Sequence, residues 1–282
     1  MSSPAGDGAV LISGCSSGIG RACATLLGAS GRRVFAAVRS EDGDAALANL
    51  PGVTPVLLDV TDGDSIERAR AAISEATGGR LGALVNNAGI GVGGAWETVP
   101  TDDLRRILEV NVIGQVALTQ ACLPMLRSGQ GKVVFVGSLG GRVAFPYAGP
   151  YHASKFAIEA IGDSLRAELR PQGIAVSVIE PSAIDTPIWS KARAQVASLR
   201  AGLGPEASKL YSKPLRKFEI QLETAEQKGG DPEEVARTIA KALDSDSPSA
   251  RYQVGRGAGT LISLRALVPT SIFDRLVRRV VS

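Results

Sequence analysis

Histidine is almost missing from this chain: His152 is the only one in 282 residues. That scarcity removes two classes of chemistry. A zinc site built from His and Cys clusters needs more ligands at suitable spacing than the chain offers, so no metal site is expected, and a Ser-His-Asp hydrolase would have to use the one imidazole. Cys15, Cys23 and Cys122 are odd in number and widely spread, with no Cys-x-x-Cys. A disulfide framework is therefore not expected, and a reducing compartment is. Aromatics make up 4% against 33 glycines, which fits an alternating strand-helix protein with many tight turns better than an aromatic-cored sandwich. Charge of one sign is also lacking: 31 basic against 28 acidic residues, net +3, gives no footprint for nucleic acid. No run approaches the roughly 18 apolar residues of a spanning helix, and Met1 to Gly8 has no basic stretch followed by an apolar core. A soluble, cytoplasmic protein is the expectation.

What is present is ordinary globular material, 44% hydrophobic and 21% charged, enough for one large α/β domain. Short apolar runs at Ala9 to Ile12, Val34 to Val38, Val53 to Leu58, Ala83 to Val85, Val133 to Val136, Ala175 to Ile179 and near Tyr252 to Val254 read as buried parallel strands. Helical patterns separate them: Ile19 to Ala29, Ser65 to Thr77, a long stretch from Thr101 to Arg127, Tyr151 to Leu169 and Glu233 to Leu243. The alternation predicts a single doubly wound domain over residues 1–282, a parallel sheet flanked by helices. Between 190 and 230 Lys, Arg, Glu and scattered Leu replace the rhythm, as in a lid-like insertion of short helices. Residues 258–282 form an amphipathic tail.

Gly14-Cys15-Ser16-Ser17-Gly18-Ile19-Gly20 follows the first strand and opens the first helix, so its amides and the helix dipole converge where a pyrophosphate could sit. No Lys-Ser or Lys-Thr follows, which argues for a dinucleotide over a nucleoside triphosphate. The second strand runs into Arg39, where an acidic residue would grip the ribose hydroxyls of NAD. A guanidinium there can pair a 2′-phosphate, so NADP(H) is favoured over NAD(H), although Arg39 could also be a solvated arginine beside Glu41 and Asp42. Farther on, Tyr151 and Lys155 lie four residues apart in a helical pattern, which stacks phenol over ammonium. A fixed cation beside a phenol lowers its pKa, and the pair makes a proton-transfer device.

Together the glycine turn, Asn86-Asn87-Ala88-Gly89, Asn111, Ser138 and the Tyr151/Lys155 pair closely resemble the classical short-chain dehydrogenase/reductase family, over the chain from its first strand to about Thr186. The glycine run, the stretch Tyr151 to Phe156 and Ile179-Glu180-Pro181 look most like its retinol and 17β-hydroxysteroid dehydrogenase branch. The resemblance implies a Rossmann-type sheet of about seven strands and an oxidoreductase that moves hydride between a nicotinamide and an alcohol or carbonyl. It implies Tyr151 as acid-base, Lys155 lowering the phenol's pKa and holding the nicotinamide ribose, Ser138 bonding the reacting oxygen, and Asn111 holding a water in a proton relay. For the cofactor it implies Gly14, Ser16, Ser17, Gly18, Ile19 and Gly20 in the phosphate turn, and Asp59 and Val60 at the adenine. Asn86, Ala88 and Gly89 would support the cofactor, and Pro181, Ile184 and Thr186 would meet the nicotinamide amide. A homodimer or homotetramer is the expected assembly. Ser13 and Ser182 depart from the family's usual threonine and glycine.

Largely apolar walls at Gly91 to Trp96, Val143 to Tyr147, Trp189, Leu199, Leu203, Leu210, Tyr211, Leu215 and Phe218 point to a lipophilic alcohol or ketone, steroid- or retinoid-like. In the tail, Ile272, Phe273, Leu276, Val277 and Val280 oppose Arg275, Arg278 and Arg279. Such a helix docks on protein or lies on an anionic membrane. Two other function classes use parts of the same pattern: an NADP-binding redox sensor without turnover, and an epimerase or dehydratase that recycles its nicotinamide. The intact Ser138, Tyr151 and Lys155 disfavour the first, and the classical glycine spacing disfavours the second.

Overall fold

The structure, a computed structural model, describes residues 8–40, 47–255 and 257–281. The apolar runs become β1 (Val10–Ile12), β2 (Val34–Val38), β3 (Val53–Leu57), β4 (Ala83–Asn86), β5 (Lys132–Val136), β6 (Ala175–Pro181) and β7 (Arg251–Val254). They form one seven-stranded sheet of order β3-β2-β1-β4-β5-β6-β7, and every neighbouring pair is parallel. The helices are α1 (Gly18–Ala29), α2 (Gly63–Thr77), α3 (Thr101–Leu108), α4 (Gly114–Gly129), α5 (Gly149–Leu169), α6 (Ile188–Ala201), α7 (Pro205–Gln227), α8 (Pro232–Asp244), α9 (Ala258–Leu267) and α10 (Thr270–Val281).

Parallel neighbours cannot be joined by tight hairpins, so helices cross over and cover both faces. Side chains along β1 alternate between the two resulting cores. Val10 and Ile12 pack with Leu27 of α1 and Val235 and Ile239 of α8. Leu11 packs on the other face with Leu118, Phe135 and Ile158. Each such side chain contributes roughly 1.5–3 kcal/mol relative to exposure. Local signals set the helix starts: Asp62 accepts from the Asp64 amide at 2.9 Å, and Asp231, followed by Pro232, accepts from Glu233 at 2.8 Å. Sequence order reverses between β1 and β4, so the chain leaves them toward opposite faces of the sheet and a crevice opens above their C-terminal ends.

The long helix expected from Thr101 to Arg127 differs from that expectation. A π-turn, Glu109–Ile113, interrupts it between α3 and α4, and the Gly114 amide bonds Glu109 five residues back. Within this turn Asn111 is buried and faces α5 and the loop after β4. Gly114 makes the close approach possible, since a Cβ there would lie 2.6 Å from the Val60 carbonyl. The whole run Thr101–Gly129 is long and apolar enough, by length and composition, to cross a membrane, contrary to the reading that no stretch comes near that. Here Leu118, Cys122, Met125 and Leu126 pack it onto the sheet.

Residues 190–230 hold most of α6 and all of α7, which share a small apolar cluster of Ala192, Val196, Leu215, Phe218 and Leu222. The insertion returns beside its start through an Ile184–Gly230 bridge. In the tail, Phe273 is buried, the Arg265 guanidinium stands over its ring at 5.4 Å, and α10 touches α7. Leu267 is 84% exposed. The side chains of Leu276, Val277, Arg278, Arg279 and Val280 lie outside the described residues, as do Glu41 and Asp42.

Candidate active site

A cleft of about 990 Å³ opens at the C-terminal ends of the strands, above the junction of β1 and β4. Its floor is the glycine turn. Ser13 ends β1, and its hydroxyl accepts from the Asn87 and Ala88 amides, each at 3.0 Å. The Asn87 amide group returns two bonds, to the Ser13 carbonyl at 2.9 Å and the Gly14 carbonyl at 3.1 Å. Ser13 thus does with a hydroxyl what a threonine would do, and the two strand ends are tied together. Gly14 and Gly18 have φ of +74° and +56°, in the left-handed region. A Cβ on Gly20 would lie 2.4 Å from the Gly14 carbonyl, so that glycine sits beneath the turn and lets helix and loop close up. Ser17 precedes α1, no side chain caps the helix, and its first turn has no acidic residue. Its amides and dipole are left to an anion. Cys15, inside the turn, donates to the Ile12 carbonyl, and burial pushes its thiol well up, so it is an inert spacer.

The other expected cofactor residues separate into two groups. Ser16, Ser17, Ile19, Arg39, Asp59, Val60, Ala88, Gly89, Pro181, Ile184 and Thr186 all line the cleft with Gly14 and Gly18. Arg39 is exposed at the rim beyond β2. Asp59 is shaped by its own turn, its Oδ1 accepting from the Thr61 amide at 2.9 Å and hydroxyl at 2.7 Å. The Thr186 methyl faces Gly18, 2.9 Å from where a Cβ would stand, so the loops after β1 and β6 meet across the cleft. Gly20, Asn86 and Asn111 do not line it. Asn86 is fully buried in β4 and donates to Thr119 at 2.8 Å, because its place in the pleat turns it toward α4. Asn111 grips Ile90 through both backbone groups, at 2.8 and 3.0 Å, and donates to Ser154 at 3.0 Å. Both amide protons are spent on protein, so its side chain is a strut between the loop after β4 and α5.

Three expected reacting residues do meet in the cleft: Ser138, Tyr151 and Lys155. Ser138 begins the one-turn 3₁₀ segment Leu139–Gly141 and accepts from the Gly140 amide at 3.0 Å. His152 holds that turn from α5, with Nδ1 bonded to the Gly140 carbonyl at 2.9 Å. Since a carbonyl only accepts, Nδ1 carries the proton. Burial lowers this imidazole's pKa, so His152 is neutral and positions the turn. The Ser138 hydroxyl acts on the Tyr151 phenol in the direction that favours its ionised form. Lys155 Nζ stands 5.8 Å from the Tyr151 ring centroid and donates to the Val136 carbonyl at 2.8 Å.

The electrostatics depart from expectation in one respect. The Tyr151 pKa lies above that of a free phenol, because burial raises it more than the Ser138 hydroxyl lowers it. Burial also brings Lys155 down to about 8, with Glu159 opposing. The ammonium expected to depress the phenol is itself desolvated and turned toward Val136.

Of the apolar walls, Gly91 and Trp189 line the cleft, and Trp189 is fixed by an indole bond to the Ile184 carbonyl at 2.6 Å. Leu215 and Phe218 belong to the insertion's own cluster, packed against Tyr147, Leu203 and Tyr211. Leu199 packs over Gly94. Leu210 and Trp96 are exposed, 62% and 57%. Sequence reading did not single out Gln195, which accepts from the Gly93 amide at 3.2 Å and donates to Asp103 at 3.1 Å. That side chain ties α6 over the cleft.

A parallel sheet with a dinucleotide-type glycine turn at its switch point, and a Ser-Tyr-Lys set lining the same cleft, defines a nucleotide-dependent oxidoreductase. A model of the short chain dehydrogenase family matches residues 8–197, and the chain belongs to that family, near its retinol dehydrogenase branch. Mouse (Mus musculus) retinol dehydrogenase 16 is 35% identical, covering 96% of this chain and 88% of that protein. The NADPH-dependent 3-dehydrocapnine reductase of Ornithobacterium rhinotracheale is 34% identical, covering 94% of each. A crystal structure of a short chain dehydrogenase/reductase from Burkholderia phymatum in complex with NAD superposes with a TM-score of 0.79 at 26% identity, covering 92% of this chain and 93% of that one.

Proposed function

We propose that the chain is an NADP(H)-preferring oxidoreductase that interconverts a lipophilic alcohol and its ketone or aldehyde, with Tyr151 as acid-base. The observation that carries this reading is the meeting of Ser138, Tyr151 and Lys155 in the cleft floored by the glycine turn. The cleft suits a dinucleotide: a Cβ would fill the glycine cradle at Gly14 and Gly20, α1 starts uncapped, and Arg39 stands at the rim. Gly14 to Gly20 would take the pyrophosphate, Arg39 a 2′-phosphate, Asp59 and Val60 the adenine, Lys155 the nicotinamide ribose, and Pro181, Ile184 and Thr186 the amide. When bound, the cofactor supplies or accepts the hydride.

In the reductive direction Ser138 donates a hydrogen bond to the carbonyl oxygen and fixes it beside the phenol. Tyr151 delivers its proton to that oxygen as negative charge builds there, and the Lys155 ammonium stabilises the phenolate left behind. In oxidation the same phenolate takes the hydroxyl proton. With its pKa raised, Tyr151 is a protonated phenol near neutrality, the form that donates in the reductive direction. Trp189, Ile188 and Ile90 give the substrate end an apolar wall, and α6 and α7 act as the lid. The test is absorbance at the reduced-nicotinamide band with a panel of ketones, aldehydes and alcohols that includes steroids and retinoids. Net NADPH oxidation with lipophilic carbonyls is the expected result. Cofactor binding without turnover on any member would overturn the reading in favour of a sensor.

A further inference from the structure

The face of α5 that carries Tyr151 and Lys155 carries a third ionisable group one turn on. Residues 151, 155 and 159 are spaced by four and stack along the helix. Glu159 is 6% exposed. Its Oε2 accepts from Arg251 Nε at 2.9 Å, while its Oε1 is buried without a hydrogen-bond partner among the described residues. That oxygen lies at the end of β5, 3.2 Å from where a Cβ on Gly137 would stand. Gly137 directly follows Val136, whose carbonyl receives the Lys155 ammonium. Carboxylate and ammonium therefore flank the same strand end.

Charged groups reach Glu159 from several elements. From β6 comes Glu180, fully buried, bonded to Arg142 at 2.9 Å and 3.4 Å from Arg251. Arg142 follows the Ser138 turn, and Arg251 reaches in from β7. From α5 itself come Lys155 and Asp163, the latter bonded to Arg251 and Arg166, each at 2.6 Å. Glu159 is the member of this cluster that lies next to Lys155.

We propose that Glu159 is a positioning residue for the proton-transfer pair, a buried counter-charge that keeps the Lys155 ammonium protonated while Tyr151 gives up and regains its proton. The proposal deepens the acid-base reading above and rests on it. Burial alone drives Lys155 toward neutrality, and Glu159 is the group that opposes this. Burial, reinforced by Glu180, also pushes Glu159 up to about 7. Glu159, pushed up to about 7, is therefore largely an anion over the range in which Lys155, at about 8, discharges. The anion forms where the cation needs it.

The test is an NMR titration of the whole protein, free of cofactor, carrying ¹³C-labelled lysine, with the Lys155 resonance identified by its loss in Lys155→Arg. In wild type that resonance should move in two steps, one as Glu159 ionises near 7 and one at its own midpoint near 8. In Glu159→Gln the first step should vanish and the midpoint should drop by about one pH unit, roughly a tenfold loss in the charged-to-neutral ratio. Glu159→Asp should restore most of it. The alkaline limb of kcat/KM in Glu159→Gln should move the same way, which a merely structural role would not cause. A single-step wild-type titration, or an unchanged Lys155 midpoint in folded Glu159→Gln, overturns the proposal without touching the reading of Tyr151. Full turnover by Tyr151→Phe would overturn that reading and leave the titration standing.

Discussion

The two ends of the cleft are built differently. The cofactor end is made of backbone: strand termini, glycines with positive φ, an uncapped helix start and the Ser13–Asn87 bonds between adjacent strands. The opposite end is walled by side chains of one helix, α6, among them Ile188, Trp189 and Gln195, and α6 packs in turn on α7. Backbone geometry demands particular residues at particular positions, so a substitution there has a sharp and local effect. Helix packing accepts many apolar side chains, so the α6 end tolerates substitutions that the glycine turn does not.

The largest effect should come from the chemistry that joins the two ends. Tyr151→Phe keeps the ring and loses the proton, and turnover should fall roughly 100-fold to 10,000-fold with cofactor affinity little changed. Retained turnover would contradict the acid-base role. Next comes cofactor choice. A charge-assisted contact between Arg39 and a 2′-phosphate is worth about 1.5 to 3 kcal/mol, or roughly tenfold to hundredfold in favour of NADP. In Arg39→Asp the ratio of NADP to NAD affinity should tilt toward NAD, as titrated at fixed ionic strength. An unchanged ratio would mean that Arg39 faces solvent alone.

How much of this was legible in the sequence follows the same division. The strands could be read because a parallel strand buried on both faces is a short apolar run. The glycine turn, Ser138, Tyr151 and Lys155 could be picked out as a group because few residue types meet such backbone or chemical demands, and they line one cleft, with Arg39 also on its lining. The π-turn was not, since helical periodicity absorbs one extra residue and only Gly114 marks the close approach. Asn86 belongs to the right motif, but strand parity turns its side chain to Thr119. In the lid, periodicity gives an apolar face without naming what covers it, and Leu215 and Phe218 went to the lid's own cluster. Glu159 reads as an ordinary polar helix position because its partners Arg142, Glu180 and Arg251 come from three distant places in the chain.

A smaller effect should appear in stability. The folded pKa of Glu159 is raised to about 7 from the ordinary 4.5, so its contribution is fully present below about 4.5 and is lost as pH rises through about 7. Each unit of that displacement is worth about 1.4 kcal/mol. The difference in unfolding free energy between wild type and Glu159→Gln, from urea titrations, should therefore decline across that window. A difference independent of pH would contradict the buried, protonated carboxyl. The smallest effect concerns the lid: proteolysis within 190–230 should slow with NADPH plus a good lipophilic carbonyl, relative to free protein. Equal cleavage in both states would make α6 and α7 a fixed wall.

The account's central claim is hydride transfer between a nicotinamide and a carbonyl in this one cleft. Its most direct test uses NADPH deuterated at the transferable nicotinamide position, a ketone that the wild-type protein reduces, and mass spectrometry of the alcohol. The account predicts one deuteron on the carbinol carbon for each cofactor oxidised. An alcohol without deuterium, or a modified substrate with no net cofactor oxidation, would contradict it.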